Sequence, residues 1–562
     1  MNRIVKPLKF PASTSYSVIS RAVSVNMKRT INNSIVLNET EVNIKNLLLE
    51  FCNQYNSTIQ DRTRHLVLRI TGGWVRDKLL GDESHDLDVA INHMSGEEFA
   101  SKLSLYLTKH HPDLPLSSVY KIKSNPEKSK HLETCTTKIY DLDIDFVNLR
   151  SEKYTSESRI PVIEYGTAQE DALRRDATLN ALFYNLNESK IEDFTNRGLQ
   201  DLQDGILRTP LKPLQTFLDD PLRVLRLVRF ASRYNFTVET ETLTAMKDPE
   251  INASLLHKIS RERVGVELDK ILTSANPEYG LRLLNYVNIT ESVFNVGTIS
   301  SQLSKFNSTN EIEQYGRLSQ QLGPQVSAAT AVFPVFKSIL LGSDNHRLIG
   351  SFNTVSSKHL WLSVVLYPFR SMSLRINDKM SGIYHVPEII IKEGLRFGKH
   401  DFEPVSNVLA NLGSSSEIWA NTVAGTIARS RLGLYLRQFG IYGDVNILVN
   451  CFLEALQQVQ HLLKPSHDEP TPQPPVLNDP DINDALTATI SKYERILGAI
   501  EEQDLTLVHS LKPLVDGKTI SKALDKKSGP WMAPVIQEVL VWQLDNPQGT
   551  PEQCLEHLKR SL

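Results

Sequence analysis

The chain has 562 residues, of which 40% are apolar and 23% charged, so its composition excludes a wholly disordered protein and its length predicts about three or four domains. Its four scattered cysteines exclude a disulfide scaffold and a paired-cysteine zinc site, and no run approaches 18 uninterrupted apolar residues, so no membrane span is expected. The formal net charge of −3 means that local basic patches would have to hold a nucleic-acid partner.

The amino-terminal segment predicts a targeting leader over residues 1–35. Before Glu39 the chain has six basic residues, many hydroxyl side chains and no acidic residue, a pattern typical of a mitochondrial transit peptide. An ordinary basic tail is the alternative. Because Met27 lies near the end of this segment, translation that begins at Met27 would remove most of the targeting segment. We therefore expect one product in the mitochondrial matrix and another in the cytoplasm and nucleus.

Hydrophobic periodicity predicts an α+β fold, with a small amino-terminal α/β unit and a mostly helical remainder. In chain order the pattern predicts a helix over 41–56, a strand over 66–70, a helix over 74–80, strands over 86–91 and 139–147, and mainly helices after about residue 170. Two segments are predicted to be irregular. They are the basic loop 121–138, with Lys128, Lys130 and His131, and the proline-rich loop 464–483.

The densest chemistry lies between the first predicted strands. Gly72 and Gly73 separate a strand from a helix, where backbone N–H groups and the helix N-terminus can approach a phosphate. Arg76, one turn into that helix, could bind a triphosphate oxygen. Asp86 and Asp88 alternate on a strand and point to one face. Two carboxylates so close are unfavourable unless a cation lies between them, and Mg²⁺ prefers such oxygen ligands.

A third carboxylate would complete a site for two metal ions. The predicted strand 139–147 offers Asp141, Asp143 and Asp145 on one face. Spacing alone does not choose among these three residues.

Five segments in chain order resemble the motifs of a known family. Gly72-Gly73, Arg76-Asp77 and Asp86-Leu87-Asp88 resemble the signature of the DNA polymerase β-type nucleotidyltransferase superfamily. The later segments resemble the second to fifth motifs of class II CCA-adding enzymes, which are tRNA nucleotidyltransferases: 174–182, 193–205, 219–223, and 260–263 with Glu267. The resemblance covers roughly residues 68–272 and is greatest to the eukaryotic branch.

The resemblance implies a fold of four parts. These are a nucleotidyltransferase head (36–185), a neck with a nucleotide-selecting helix (186–275), a helical body (276–400) and a helical tail (401–562). It also implies template-independent addition of CCA to the 3′ end of tRNA from CTP and ATP, with two Mg²⁺ ions. The tRNA 3′-hydroxyl would attack the α-phosphate in line and release pyrophosphate. The tRNA would be held by its acceptor stem and elbow, and we expect a monomer without membrane association.

The family's functional residues can be carried onto matching positions of this chain. Asp86 and Asp88 would hold the metal ions, and Asp145, where the family usually has glutamate, would help to activate the tRNA hydroxyl. The triphosphate would be bound by Gly72, Gly73, Arg76, Arg226 and Arg229. The ribose hydroxyls would be bound by Arg175, Asp176 and Asn180. Asp77 and Asp219 would orient neighbouring side chains, and Asp219 again stands where glutamate is usual.

Base choice is assigned to Asp220 and Arg223 on a predicted helix. The carboxylate of Asp220 would accept from the exocyclic amine of cytosine or adenine, while Arg223 donates to the base edge. Uracil and guanine present a carbonyl there, so the pair would refuse them. Arg226 and Arg229 continue the same stripe at a spacing of three. No acidic residue lies between residues 221 and 233, so we expect little ion pairing of these arginines within this segment.

Three other functions remain open at this stage. The first is a poly(A) polymerase of the same fold, which use of CTP would separate from a CCA-adding enzyme. The second is a catalytically dead RNA-binding relative, although the chain keeps the two metal carboxylates and the base-reading pair. The third is specialisation for only CC or only A. The family implies that the loop 121–138 takes part in switching from C to A.

Overall fold

The computed structural model of the chain describes residues 31–32, 34–84, 86–114, 117–122, 134–155, 158–342, 345–379, 382–464, 468–474 and 477–561. Residues 1–30 of the predicted leader lie outside this range. So do residues 123–133 of the predicted basic loop, which include Lys128, Lys130 and His131.

The amino-terminal unit mixes helices and strands, as predicted. Its elements in chain order are α1 (Glu39–Ser57), β1 (Leu68–Thr71), α2 (Gly73–Leu80), β2 (Leu87–Ile91), α3 (Gly96–His110), β3 (Ser117–Ile122), β4 (Thr134–Ile139), β5 (Leu142–Asn148), β6 (Arg150–Thr155), β7 (Ser158–Tyr165), α4 (Ala168–Leu173), β8 (Leu182–Asn185) and β9 (Lys190–Asp193).

One mixed sheet organises this unit, in the order β3-β4-β5-β2-β1-β8-β9. Strands β2 and β5 are parallel, and the other neighbours in the sheet are antiparallel. Alternation along β2 buries Leu87, Val89 and Ile91 in the main core and leaves Asp88 on the opposite side. The sheet continues past residue 185, the predicted end of the head, because β9 pairs with β8.

A mainly helical chain follows the sheet. Its first elements are α5 (Gly198–Asp204), β10 (Ile206–Leu207), α6 (Pro213–Asp219), α7 (Leu222–Tyr234), β11 (Thr237–Val238), α8 (Thr240–Met246), α9 (Pro249–Lys258) and α10 (Arg261–Leu272). Helix α7 lies at the centre of this group and packs against α10 and α11. Its predicted apolar stripe, formed by Leu222, Leu225 and Val228, is buried. This packing leaves the arginine stripe of α7 to face the amino-terminal sheet and α10.

The remaining elements form the carboxyl-terminal half. They are α11 (Pro277–Tyr286), α12 (Thr290–Val293), α13 (Leu303–Phe306), α14 (Thr309–Ser319), α15 (Leu322–Gly342), α16 (His346–Thr354), α17 (Ser357–Val365), β12 (Ser373–Arg375), β13 (Ile383–His385), α18 (Val386–Ile389), a π-helical turn (Ile390–Gly394), α19 (Lys399–Ala410), α20 (Leu412–Val423), α21 (Arg429–Arg437), α22 (Gly443–Val459), α23 (Pro480–Glu502), α24 (Gly517–Ala523), α25 (Met532–Asp545) and α26 (Pro551–Ser561).

The last helices have a small core of their own, which includes Val515, Ile520, Val539 and Leu558. The predicted proline-rich loop ends earlier than expected, because α23 begins at Pro480 with proline in its first turn, a position that suits this residue. All four cysteines are free and buried, as their scattered spacing predicts.

The segment Thr309–Gly342 is long and apolar enough to cross a membrane, with a mean hydropathy of 1.3 over 18 residues. Its second helix, α15, packs against α11, α17, α22 and α23 and buries Val326, Phe333 and Phe336. In the described residues, 39% of that apolar window is buried, so α15 is covered by protein on one face only.

The close approach of α10 to the segment after the π-helical turn gives a stability prediction. A Cβ atom on Gly265 would lie 1.9 Å from the carbonyl oxygen of Leu395, whereas one on Gly316 of α14 would meet no atom within 4 Å. We expect Gly265→Ala to lower the free energy of unfolding by about 1–3 kcal/mol through overpacking. Gly316→Ala should leave it unchanged or raise it by about 0.5–1 kcal/mol. Urea denaturation of the two variants checks this, and equal effects would contradict it.

Candidate active site

Two carboxylates are brought side by side by the central strands of the sheet. In the parallel pair β2–β5, Asp88 lies directly opposite Asp145. Asp86 lies one residue before β2 and is exposed. Thr136 of β4 donates a hydrogen bond of 2.5 Å to Asp145 Oδ1 and fixes its orientation. The structure therefore brings together Asp88 and Asp145, and places Asp86 just before the strand that carries Asp88.

The other two candidate aspartates of the predicted strand 139–147 are placed elsewhere. Tyr140 and Asp141 have positive φ angles of 50° and 62° and form the turn between β4 and β5. Asp143 is exposed, lies opposite Lys138 of β4 and precedes the first residue of β5 that pairs with β2. The prediction of one strand over 139–147 was therefore wrong at its start, because this turn separates Ile139 from β5.

Electrostatics at the carboxylates favour a bound cation. Burial, the Asp145 carboxylate and Asp86 together raise the pKa of Asp88 to about 6, and only Arg175 opposes them. A divalent cation would remove this repulsion, and carboxylate oxygens are the ligands that Mg²⁺ prefers. Within the described residues, no group of three or more His, Cys, Asp or Glu is gathered closely enough to hold a metal ion. The donors fit Mg²⁺ by chemistry, with substrate phosphates left to complete the coordination.

The turn before α2 lies against these carboxylates. Gly72 has a φ of +75° and caps α2. A Cβ atom there would stand 3.4 Å from Arg175 Nη1 and 3.8 Å from Asp88 Oδ2. A side chain would therefore both strain the backbone and fill the space beside the carboxylates. This is the place where a phosphate can reach backbone N–H groups and the metal carboxylates at once.

Arg76, predicted to bind the triphosphate, is buried between the sheet unit and α7. Its Nε donates to Asp77 Oδ1 at 2.8 Å, and a second nitrogen donates to Asn180 Oδ1. The guanidinium also lies 4.9 Å from the centre of the Tyr234 ring. The Tyr234 hydroxyl in turn donates to Asp77 Oδ1 at 2.9 Å. Asp77 thus contacts Arg76, as a role in orienting that arginine would require. The Arg76 guanidinium is hydrogen-bonded to protein side chains.

The predicted ribose-binding residues form one connected group. Asn180 donates to Asp176 Oδ1 at 2.9 Å, and its carbonyl accepts from Arg175 at 3.1 Å. Arg175 also donates to Thr71 at 2.6 Å and to Asp171 at 2.7 Å. These bonds fix three polar side chains, of which Arg175 lies beside Gly72 and Asp88. Such a set can recognise ribose hydroxyls.

The arginine stripe of α7 is ion-paired with acids from outside the helix. Arg226 Nε lies 2.6 Å from Asp176 Oδ2, and Arg229 Nε lies 2.6 Å from Glu267 Oε2. Both partners come from distant parts of the chain, so the sequence of α7 alone could not identify them. Burial acts to raise the pKa of Asp176, but Arg226 and Asn180 outweigh it and lower that pKa. Asp176 therefore stays ionised and holds α7 against the sheet unit.

The base-reading pair occupies the junction of α6 and α7. Asp220 Oδ1 accepts from the Leu222 N–H at 3.1 Å, and its Oδ2 lies 3.3 Å from Arg263 of α10. Arg223 is nearly buried and donates to the Thr216 carbonyl at 3.4 Å. Asp219 accepts from Gln215 at 2.7 Å, and burial raises its pKa. The two side chains predicted to read the base thus share one turn and are each held by another group.

Glu152 is a residue that sequence reasoning missed. Its carboxylate, on β6, lies 2.9 Å from both Arg150 and Arg174 and 3.8 Å from Arg223. Only 5% of its side chain is exposed. It therefore ties the β6–β7 hairpin to the start of α7. The sequence carries no clear signal for Glu152. Only the fold shows that its side chain is buried and which arginines it contacts.

The raised pKa of Asp88 gives a prediction for stability. Because the folded-state pKa lies above the ordinary value of 3.8, ionisation of Asp88 opposes folding as pH rises from about 4 to 6 and at all higher pH. In metal-free buffer at pH 7.5, we expect Asp88→Asn to stabilise the protein by up to about 3 kcal/mol. The gain should vanish near pH 4. Thermal unfolding against pH measures it, with the exposed Asp143→Asn as a control, and a gain that is the same at both pH values would contradict it.

Comparison with known proteins places this site in a family. Residues 68–208 match the family described as poly A polymerase head domain, and residues 235–296 match the probable RNA and SrmB-binding site of polymerase A. The chain is 41% identical to the mitochondrial CCA tRNA nucleotidyltransferase of Saccharomyces cerevisiae, over 97% of this chain and 99% of that protein.

Solved structures share the fold. The Thermotoga maritima CCA-adding enzyme complexed with tRNA aligns at a TM-score of 0.52 and 18% identity, over 93% of this chain and 96% of that chain. The Bacillus stearothermophilus CCA-adding enzyme in complex with CTP aligns at 0.56 and 14% identity, over 93% and 98%. Since the chain is 41% identical to the yeast protein over almost the whole of both chains, it belongs to the family of CCA tRNA nucleotidyltransferases.

Proposed function

We propose a mechanism for the activity that family membership assigns to this chain, the template-independent addition of CCA to the 3′ end of tRNA from CTP and ATP. The observation that carries it is the placement of Asp88 and Asp145 in register on parallel strands, beside Gly72 and Arg175. The chain would divide into head, neck, body and tail, with boundaries at residues 185, 275 and 400. The sheet of the head extends past the first boundary, because β9 ends at Asp193.

The carboxylates prepare the reacting groups. Asp86 and Asp88 would hold two Mg²⁺ ions, which supply Lewis acidity to the attacking hydroxyl and charge neutralisation to the departing pyrophosphate. Asp145, oriented by Thr136, accepts a hydrogen bond from the tRNA 3′-hydroxyl. The hydroxyl gives its proton to the Asp145 carboxylate, and its oxygen bonds to the α-phosphorus as the bond to pyrophosphate breaks in line. The Asp145 side chain is one methylene shorter than that of the usual glutamate, and the hydrogen bond from Thr136 fixes the orientation of this shorter side chain.

The positively charged groups bind the nucleotide. The backbone at Gly72 and Gly73 and the start of α2 receive the triphosphate. Arg226 and Arg229 lie on the α7 face nearest the ribose set and attract the phosphates while paired with Asp176 and Glu267. Arg76 would contribute to nucleotide binding indirectly, because its hydrogen bond to Asn180 fixes the position of that side chain.

Base choice follows from the fixed positions of Asp220 and Arg223. Arg263 and the Leu222 N–H hold the Asp220 carboxylate as an acceptor for an exocyclic amine. Glu152 and the Thr216 carbonyl hold the Arg223 guanidinium as a donor. Cytosine and adenine satisfy both groups, whereas uracil and guanine would leave a carboxylate facing a carbonyl.

We also propose a mitochondrial product, since the yeast relative is named as mitochondrial and the first 38 residues carry no acid. A shorter product from Met27 would serve the cytoplasm and nucleus. A bacterial-type poly(A) polymerase is the second candidate, because the head matches a family described by that name.

Single-nucleotide extension tests the function directly. Three tRNA substrates, which end at the discriminator base, at C and at CC, each receive one labelled NTP and Mg²⁺. We expect two CMP additions followed by one AMP, with UTP and GTP refused. Long AMP tails without use of CTP would assign a poly(A) polymerase, and no incorporation would assign a binding protein.

Removal of a metal carboxylate should separate chemistry from binding. We expect Asp86→Ala to lower both CMP and AMP incorporation by at least about 10³-fold. The dissociation constant of tRNA should stay within about twofold, because Asp86 is exposed and lies apart from the helical half. Asp143→Ala, an exposed aspartate of β5, is the matched control and should retain activity. A loss of tRNA binding in Asp86→Ala would show a structural role instead.

Removal of the base-reading arginine should relax selection. We expect Arg223→Ala to reduce the preference for CTP over UTP by at least about tenfold, which corresponds to about 1.4 kcal/mol, and to slow correct incorporation less than this. Competition between labelled CTP and UTP measures the preference. Arg317→Ala, an exposed arginine of α14, is the control. A uniform slowdown with unchanged preference would contradict base reading by Arg223.

A further inference from the structure

An irregular segment of the carboxyl-terminal half lies against the helix that follows the neck. It connects α22 to α23, and its described residues 468–474 form no helix or strand. Pro470, Pro472 and Pro474 alternate with other residues along it. Each proline fixes its own φ angle and favours extended backbone at the residue before it. We call residues 468–474 the proline strap.

Two hydrogen bonds hold the proline strap against α11. Arg282 Nη2 donates to the Thr471 carbonyl at 2.9 Å, and Asn276, at the start of α11, donates to the Pro472 carbonyl at 2.9 Å. Asn276 also donates to Asn235 Oδ1, at the end of α7, at 2.8 Å. The backbone at Thr471 is therefore held by α11, while the residue itself is exposed.

Thr471 precedes a proline, and a Thr-Pro dipeptide is the acceptor sequence of proline-directed protein kinases. The chain has three Thr-Pro dipeptides and no Ser-Pro dipeptide. Thr209 is buried and donates to a nearby backbone carbonyl at 2.6 Å, so its hydroxyl is closed to a kinase. Thr550 is exposed, but its hydroxyl accepts from the Gln553 N–H at the start of α26. Only Thr471 is both exposed and within an irregular, extended segment, the form in which a kinase can bind its substrate.

The Arg282 guanidinium offers a partner for a phosphate on Thr471. Its Nη1 is shielded from solvent and, within the part of the chain that the structure describes, has no hydrogen-bond partner. Burial lowers the pKa of Arg282, and Glu278 and Tyr279 of the same helix oppose this effect. A further anion beside the guanidinium would offset more of the cost of burying its charge.

Phosphorylation would replace a neutral hydrogen bond within the strap by a charged contact with α11. In the unmodified chain the Thr471 hydroxyl donates to the Gln473 carbonyl at 2.6 Å. A phosphate carries a charge of about −1.5 to −2 and three acceptor oxygens at neutral pH, so it loses that bond and gains acceptors for a guanidinium. Hydrogen bonds between two charged groups are about twice as strong as neutral ones. The exchange therefore favours contact with Arg282, which already contacts the backbone of Thr471.

Two acidic residues of the strap act against a phosphate. Glu469 precedes Thr471 by two residues, but its carboxylate accepts from Thr240 of α8 at 3.3 Å. Asp468 is exposed, so salt and solvent screen its charge. Arg282, in contrast, is partly buried and contacts Thr471 itself. We therefore expect its attraction for the phosphate to exceed the repulsion from these two carboxylates.

We propose that Thr471 is a phosphorylation site for a proline-directed serine/threonine kinase and that Arg282 binds the resulting phosphate. The hydroxyl oxygen of Thr471 bonds to the γ-phosphorus of ATP as the bond between that phosphorus and ADP breaks, and the hydroxyl proton passes to the kinase. The phosphate fastens the strap to α11, which packs against the base-reading helix α7. Neither Thr471 nor Arg282 belongs to the site that adds CCA, so the inference goes beyond the proposed function and does not depend on it.

The first test locates the phosphate. The full chain is incubated with ATP and a purified proline-directed kinase, and mass spectrometry identifies the modified residue. We expect a single phosphate per chain, on Thr471. Thr471→Ala should abolish incorporation, whereas Thr550→Ala, at the other exposed Thr-Pro dipeptide, should leave it unchanged. Phosphate chiefly on Thr550 or Thr209, or no incorporation, would overturn the proposal.

The second test measures the contact with Arg282. A neighbouring guanidinium favours the dianion, so phosphorus NMR of the phosphorylated chain should give a second acid dissociation constant about tenfold larger than that of a phosphorylated peptide of residues 466–477. The peptide keeps both acidic neighbours and lacks Arg282. In the full chain, Arg282→Gln should remove the difference, and Arg317→Gln on α14 should retain it.

Equal dissociation constants in the unaltered chain and the peptide would overturn binding of the phosphate by Arg282. A difference that persists in Arg282→Gln would overturn it too, because another group would then hold the phosphate. Thermal unfolding shows that each variant is folded before its titration. The result is independent of nucleotide addition, since neither test uses tRNA or CTP.

Discussion

The unfavourable proximity of two carboxylates, Asp88 on β2 and Asp145 on β5, is the constraint on which the rest of the site depends. A parallel register places them side by side, and burial makes their mutual repulsion strong enough to raise the pKa of Asp88 to about 6. A protein keeps such an arrangement when a cation relieves it. The residues around the two carboxylates are compatible with a bound cation. Gly72 leaves open space beside the carboxylates, and Arg175 supplies the nearest compensating charge.

A second set of ion pairs holds the catalytic sheet and the helical half in register. Asp176 of the sheet unit binds Arg226 of α7, and Glu267 of α10 binds Arg229. Because Glu267 Oε1 also lies 4.0 Å from Arg226, the pairs form one continuous series of alternating charges. Buried pairs of this kind are expensive to break, since each would leave an unpaired charge. The same series connects Asp176, one of the predicted ribose-binding residues, to Arg229.

Much of this organisation follows from local sequence. The glycine pair, the alternating aspartates and the apolar stripe of α7 each depend on spacing within a few residues, and each element formed as predicted. Local patterns failed where a turn or a distant partner decided the outcome. The positive φ at Tyr140 and Asp141 moved the start of β5, and the acids that pair with the α7 arginines lie far away in sequence. Glu152 was not predicted as a site residue for the same reason, since Arg174 and Arg223, which its carboxylate approaches, lie far away in sequence.

The sequence by itself determined the chemistry available to this protein. Its motifs, in order, resemble those of the family, and this resemblance predicts the metal carboxylates and the base-reading pair from side-chain type and short-range spacing. The tertiary structure alone decided which aspartate stands opposite Asp88 and which acid orients each arginine. It also decided that Arg76 is buried against Tyr234. These outcomes depend on strand register and helix packing between distant segments, and no local pattern of residues carries that information.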